Sequence, residues 1–283
     1  CGLGILAALT LIFQPLRITR ANIIYDVYTS FGDFRDYMAE LREEQRNAPD
    51  KRFSNVRLTT PDDEERTLIV VVRISSSRQH YSIYNYWRNT TPGLSSISNE
   101  LTIFENANNF CMEGYALRWI LSPNGESNSH SIITLLNQAG FHTYLLSNQP
   151  DVDTNSVETA LLGAVAHKTI YFNHGGDWYF NSSPEEPVLD SLEKILRDDP
   201  NRKAVFIYLE SDAPSPLVYP PEFERFTHCS DLPEGSQLSP EDCEKLNYYD
   251  NSILHTDALL KEMIDLAERL APGDERPLHR VHV

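Results

Sequence analysis

Three consecutive serines, Ser75 to Ser77, followed by Arg78 and His80, are the residues of this chain whose types and spacing could do chemistry. They come directly after an apolar, β-branched run that begins at Leu68, which predicts a buried strand of a parallel sheet. Open α/β sheets bind their ligands beyond the carboxyl ends of such strands. A serine in this place could act as a nucleophile if a base or a metal lowered the cost of removing its proton, and Ser75 is the candidate.

Other polar and aromatic side chains could contribute to the same site. Tyr84 and Tyr86 are expected to pack against the sheet, and Asp250 and Asn251 to cap or turn the start of the last helix. His174 follows a predicted strand in a glycine-bearing loop, where a ligand contact and simple solvation are both open. Arg78 could pair with a phosphate or with a surface carboxylate.

The elements that must position these residues alternate along the chain. Apolar runs and helical periodicity predict strands at 68–74, 143–146, 169–172 and 204–209, and helices at 131–139, 156–164, 188–196 and 252–270. Such alternation with short connections predicts an α/β fold with a parallel sheet, flanked by helices and joined by right-handed crossovers. No Rossmann or P-loop glycine motif is present.

Four segments, in the same order along the chain, resemble the bacterial phosphoethanolamine transferases, inner-membrane enzymes of the alkaline phosphatase and sulfatase superfamily. They are Ser77–Pro92, Leu135–Gln149, Tyr219–Phe223 and Tyr248–Asp257. The resemblance, from about Leu68 to Leu266, implies a sulfatase-like domain with catalytic zinc. It also implies transfer of phosphoethanolamine from phosphatidylethanolamine to lipopolysaccharide or another envelope glycan.

The chain departs from this family where the family's chemistry lies. Ile74 stands where the family has a zinc-binding glutamate, and no serine or threonine occurs between Thr102 and Ser122, where the family has its threonine nucleophile. An Asp-His-Gly sequence, which holds zinc in the family, is also missing. A catalytic zinc needs about three protein ligands, so this chain is not expected to bind it, and transfer should be impaired or lost.

Two alternatives to simple loss of activity remain open. One is a substitute metal site, for which the chain offers carboxylates and imidazoles at Glu210, Asp212, His279 and His282. The other is a non-catalytic homologue that binds envelope partners. Ser75 would be the substitute nucleophile in an active protein.

The resemblance also implies a domain organisation. Residues 1–16 are expected to be the end of a transmembrane helix, although a buried helix of a soluble domain is the alternative for this apolar stretch. Residues 17–66 should form a helical linker and loop, 67–271 an incomplete sulfatase-like periplasmic domain, and 272–283 an irregular tail. The C-terminal part of the family's fold is expected to be missing, and the protein to lie in the inner membrane.

Cys229 and Cys243 bracket a loop rich in proline, glycine, serine and acidic residues. A disulfide would stabilise such a loop by about 3 kcal/mol, and some family members have a cystine here; two free thiols are the alternative. An oxidising, periplasmic location would follow from the bond. The net charge of −17 argues against nucleic acid as a partner.

Overall fold

The computed structural model describes residues 23–47, 53–54, 56, 66–73, 75–105, 113–122, 131–149, 157–173, 185–209 and 215–270. The chain divides into two compact units, Cys1–Pro49 and Asp50–Val283. The described part of the first unit is the helix α1 (Ile23–Asn47). Within the described residues, no helix is both long enough and apolar enough to cross a bilayer. The expected membrane segment, residues 1–16, lies outside them.

Strands and helices alternate in the second unit, as the sequence predicts. Their order is β1 (Thr67–Val72), α2 (Pro92–Ser96), α3 (Glu113–Leu121), α4 (Ile132–Gln138), β2 (His142–Ser147), α5 (Val157–Val165), β3 (Lys168–Tyr171), α6 (Glu186–Asp198), β4 (Lys203–Tyr208) and α7 (Pro240–Leu270). Short 3-10 helices cover Arg78–His80, Ser82–Tyr84, Ser98–Glu100 and Pro221–Phe223.

The described strands form one parallel sheet in the order β1-β4-β2-β3. The prediction of a parallel sheet flanked by helices is therefore confirmed. Among the described strands, β1 pairs with β4 alone. The prediction of a buried strand is wrong for β1, since none of its residues is buried and Leu68 is 40% exposed. A continuous apolar run is typical of a strand covered on both faces, but the run alone does not determine which neighbours cover it.

Alternate residues of β4 point into two separate hydrophobic cores. Val205 and Ile207 pack in a cluster with α6 and α7, and Ala204 and Phe206 pack in a second cluster with α3, α4 and α5. All four residues are at most 2% exposed. Because successive strand residues face opposite sides, two helical layers can cover one sheet, and its carboxyl edge is left to carry the polar turns.

The last helix differs most from its prediction, since α7 begins at Pro240 and not at Ser252. The hydroxyl of Ser239 accepts a hydrogen bond from the Asp242 backbone N–H at 3.1 Å and donates to the Asp242 carboxylate. This is a capping arrangement, and proline is favoured in the first helical turn. The Ser-Pro-Glu-Asp sequence was the signal for the earlier start.

Candidate functional site

The three serines form a turn at the carboxyl end of β1, and we refer to Ser75–Ser77 as the triple-serine turn. Ser75 has a φ of 58°, in the left-handed region, and Ser75 and Ser76 are exposed. Tyr249 of α7 contacts both ends of this turn: its hydroxyl donates to the Ser75 carbonyl at 2.7 Å and accepts from the Ser77 N–H at 2.9 Å. The turn is therefore tied to a residue that lies 172 positions away.

The segment after the turn is anchored by Asp250, the neighbour of Tyr249 on α7. The fully buried Asp250 carboxylate contacts His80 Nδ1 at 2.9 Å through Oδ1, and accepts from the Tyr86 hydroxyl at 2.8 Å through Oδ2. Burial and the Asp250 carboxylate raise the pKa of Tyr86, so this hydroxyl stays protonated and remains a donor. Tyr86 thus donates to Asp250, and the centroid of its ring lies 4.9 Å from the centroid of the His80 ring.

Arg88 completes this cluster from the other side. Its guanidinium donates to Asp250 Oδ2 at 2.9 Å and, through two nitrogens, to both carboxylate oxygens of Asp231 at 2.8 Å. It also donates to the Asn247 side chain and to the His228 carbonyl. Burial works to lower the pKa of Arg88, but the two carboxylates outweigh it and the pKa is raised.

The disulfide expected between Cys229 and Cys243 is present, with Cα atoms 5.9 Å apart. It joins the loop that contacts Arg88 to the first turns of α7. Arg88 Nη2 lies 3.8 Å from the Cys229 sulfur. The bond therefore fixes the loop carrying Asp231 beside the buried guanidinium.

Asp250 and Asn251 do not begin the last helix, so the expectation that they cap it is wrong. Both are fully buried in the interior of α7. The Asn251 side-chain oxygen accepts the backbone N–H groups of Arg225 and Phe226, at 3.0 and 2.8 Å. An aspartate and an asparagine in a turn-like sequence suggest a cap, whereas here their partners come from distant segments.

Asp257, two turns further along α7, has a capping role that the sequence did not indicate. Its carboxylate accepts from the backbone N–H groups of Gly93 and Leu94, at 2.6 and 2.9 Å, at the beginning of α2. Burial raises the pKa of Asp257, although these two N–H groups work in the opposite direction. The same residue lines an open cavity of about 730 Å³, which also contacts Phe223, Arg225 and Lys261.

The described residues do not fit the zinc site that the family resemblance implies. In this part of the chain, no group of three or more histidine, cysteine or acidic side chains is arranged to hold a metal ion. His80 and Asp250 bind each other, and Asp250 also pairs with Arg88. The remaining residues named from the sequence fall outside the described residues: Ile74, His174, Glu210, Asp212, His279 and His282.

The structure places the candidate nucleophile Ser75 in an exposed position on the triple-serine turn. No described side chain lies within hydrogen-bonding distance of its hydroxyl, so the described residues supply no general base in direct contact with it. Arg78 is also exposed, in the first 3-10 helix after the turn. The turn can therefore offer hydroxyls and a cation to a ligand.

Comparisons with known proteins agree with this fold. Residues 66–275 match the family described as Sulfatase. The chain is 26% identical over 216 residues to phosphoethanolamine transferase EptC of Escherichia coli (strain K12), covering 71% of this chain and 37% of that protein. It is also 26% identical over 254 residues to the putative transferase YhbX of the same strain, covering 86% of this chain and 42% of YhbX.

Among solved structures, the C-terminal periplasmic domain of EptC from Escherichia coli, in a complex with zinc, superposes with a TM-score of 0.61 at 24% identity. The match covers 73% of this chain and 60% of that domain. The chain thus spans well under half the length of the two curated relatives. With the family match extending over most of its length, the chain belongs to the sulfatase family and has the fold of the alkaline phosphatase superfamily.

Proposed function

We propose that this chain is the sulfatase-like domain of a phosphoethanolamine transferase-type protein. The donor would be phosphatidylethanolamine, and the acceptor lipopolysaccharide or another envelope glycan. The observation that carries the proposal is the contact between two segments that resemble the family. The two segments are Ser77–Pro92 and Tyr248–Asp257. Tyr249 binds Ser77, and Asp250 binds His80 and Arg88. Residues that are remote in sequence therefore converge beside a polar turn at the carboxyl end of a strand, where α/β sheets bind ligands.

We further propose that zinc-dependent transfer is impaired in this chain. The hydrocarbon side chain of Ile74 cannot coordinate a metal where the family has glutamate, and the family's nucleophile segment contains no serine or threonine between Thr102 and Ser122. A hydroxyl is a weak nucleophile at neutral pH unless a metal or base activates it. Ser75 is then the substitute nucleophile, and turnover through it would be slow.

The proposed location is the inner membrane, with the sulfatase-like domain of residues 67–271 in the periplasm. Residues 1–16 would end a membrane-spanning helix and residues 17–66 would link it to the domain. The disulfide between Cys229 and Cys243 supports an oxidising compartment. The periplasmic origin of the superposable EptC domain also supports it.

A second candidate is a non-catalytic homologue that retains ligand binding. It is favoured by the tight pairing of His80 and Arg88 with Asp250, which leaves these potential metal or phosphate ligands engaged within the protein. Such a protein would bind an envelope partner at the triple-serine turn without transferring a group.

Zinc content and a transfer assay separate these possibilities. The purified full chain is expected to hold far less than one zinc per molecule and to transfer phosphoethanolamine slowly or not at all. Any turnover above background should disappear in Ser75→Ala and persist in Ser54→Ala, a serine outside the triple-serine turn. Stoichiometric zinc with Ser75-dependent, rapid turnover would overturn the proposed impairment. Clear binding of the donor without turnover would favour the non-catalytic candidate.

A further inference from the structure

The backbone of the triple-serine turn adopts a conformation that its sequence does not favour. Ser75 has a φ of 58°, a region that residues other than glycine seldom occupy, and no glycine occurs in the turn. Holding a serine in this region is energetically unfavourable, so surrounding contacts must maintain it. The contacts that hold Ser75 in this conformation identify the residue that sets the shape of the triple-serine turn.

Tyr249 makes two such contacts with a single hydroxyl. The group donates to the Ser75 carbonyl at 2.7 Å and accepts from the Ser77 N–H at 2.9 Å, so it bridges the backbone on both sides of Ser76. The carbonyl bond lies at the strained residue itself. Both hydrogen bonds require the hydroxyl, because the phenyl ring of a phenylalanine could not donate to a carbonyl or replace the oxygen that accepts the N–H.

The side chain of Tyr249 is itself held in place by the residues around it. Its ring packs edge-on against the His80 ring, with centroids 4.9 Å apart. The next residue, Asp250, is fully buried and binds His80 and Arg88. Rotation of the Tyr249 hydroxyl away from the turn would therefore disturb a packed histidine and a helix anchored by a buried ion pair.

We propose that Tyr249 is a positioning residue, which fixes the backbone of the triple-serine turn so that its exposed hydroxyls and Arg78 face the phosphate of a ligand. Serine hydroxyls and an arginine are suitable donors to phosphate oxygens. The ligand class, a phosphoethanolamine group, rests on the proposed function. The role of Tyr249 in shaping the turn does not.

Amide hydrogen exchange in the full chain tests the positioning role directly. In Tyr249→Phe, the ring is kept and both hydrogen bonds to the turn are lost. Exchange of the Ser77 N–H is expected to accelerate by at least about tenfold, while the amides of β4 exchange as in the wild type. Tyr248→Phe is the matched control, since the neighbouring Tyr248 hydroxyl donates to the exposed Glu244 at 2.7 Å. It should leave Ser77 unchanged.

Two results would overturn the positioning role. One is an unchanged Ser77 exchange rate in Tyr249→Phe. The other is an acceleration that extends equally to the amides of β4, because Tyr249 would then contribute to general stability and have no local effect on the turn.

Titration with O-phosphoethanolamine, followed by the NMR shifts of the Ser75, Ser76 and Ser77 amides, tests the ligand class. Binding to the wild type and to Tyr248→Phe is expected at this turn, with about tenfold weaker binding in Tyr249→Phe, equivalent to about 1.4 kcal/mol. Equal affinity of wild type and Tyr249→Phe would contradict the proposal that the turn must be preset for the phosphate. No shift in the wild type would instead refute the proposed ligand, and the exchange data would still decide the role of Tyr249.

Discussion

Arg88 and Asp250 form an ion pair with an Nη1–Oδ2 distance of 2.9 Å, and both side chains are almost completely buried, at 1% and 0% exposure. The pair joins the segment after the triple-serine turn to the middle of α7. Asp250 also binds His80 and Tyr86, so the carboxylate charge is shared among three donors. The stability of the cluster depends on keeping this buried charge compensated.

Arg88→Ala is expected to destabilise the protein strongly, because it leaves the Asp250 carboxylate buried without its cation. Removal of one partner of a buried pair typically costs about 3–5 kcal/mol. Urea denaturation followed by circular dichroism would measure the loss. Arg197→Ala is the control, since Arg197 pairs with Glu193 on the exposed surface of α6 and should have little effect. Equal effects of the two substitutions would contradict the importance of burial at Arg88.

Loss of the disulfide is expected to cost about 3 kcal/mol, the chain-entropy estimate for a loop of this length. The bond closes a separation of 14 residues between Cys229 and Cys243. The variant Cys229→Ala/Cys243→Ala should show a lower denaturation midpoint than the oxidised wild type. Dithiothreitol should lower the midpoint of the wild type and leave the variant unaffected. A midpoint in the wild type that is insensitive to dithiothreitol would argue against a stabilising bond.

Asp257 should give the protein a pH-dependent stability that Asp257→Asn lacks. Burial raises the pKa of this carboxyl above its unfolded value, so the folded protein binds more protons in the interval between the two. The contribution of Asp257 to the free energy of unfolding therefore decreases as the pH rises through that interval, beginning near about pH 4. Denaturation of both proteins across pH 3.5–7 would measure the difference between their free energies of unfolding. This difference should shrink toward neutral pH. A constant difference would refute the prediction.

His167 is expected to make the amino edge of the sheet sensitive to acid. The Thr143 N–H lies 3.1 Å from His167 Nδ1, so that nitrogen must be unprotonated to accept it. Burial and the neighbouring His142 lower the pKa of His167. Between this lowered value and the unfolded value of about 6.5, the unfolded chain binds more protons, and stability should fall as the pH drops below about 6.5.

His167→Gln removes the ionisable group and therefore tests whether His167 causes the loss of stability in acid. The free energy of unfolding of the wild type should decrease more than that of the variant between pH 7.5 and pH 5. His142 and Asp199, which contact each other at 3.1 Å, are present in both proteins, so the two profiles differ through loss of the His167 imidazole and of its interaction with His142. Parallel pH profiles would exclude His167 as the sensor.

Local signals in the sequence predicted the layered fold well. Ser131 caps α4, as expected for a serine before an apolar helical run, and Gly140 follows that helix with a φ of 82°. Apolar runs located β1, β2 and β4, and the largely buried strands β2 and β4 agree with the rule that covered parallel strands need few polar residues. The place of β1 beside β4 could not be predicted, because the order of strands depends on contacts between distant parts of the chain.

The candidate site was predicted in part. The triple-serine turn was located from its place after a strand, and the cystine from its loop together with the family resemblance. The partners of Asp250 and the role of Tyr249 were missed, since each contact joins residues more than 160 positions apart. A Tyr-Asp-Asn sequence looks like a turn when read alone, and only the docked helix shows that these side chains face inward.

These long separations have a consequence for how the protein folds. Tyr249, Asp250 and Asp257 of α7 meet partners that lie 172, 162 and 163 residues earlier in the chain. Nothing local can assemble the cluster, and contacts of such high sequence separation form slowly. The contacts of Tyr249, Asp250 and Asp257 thus form only once synthesis has reached Asp257 and α7 has docked, and detachment of that single helix would break all of them together.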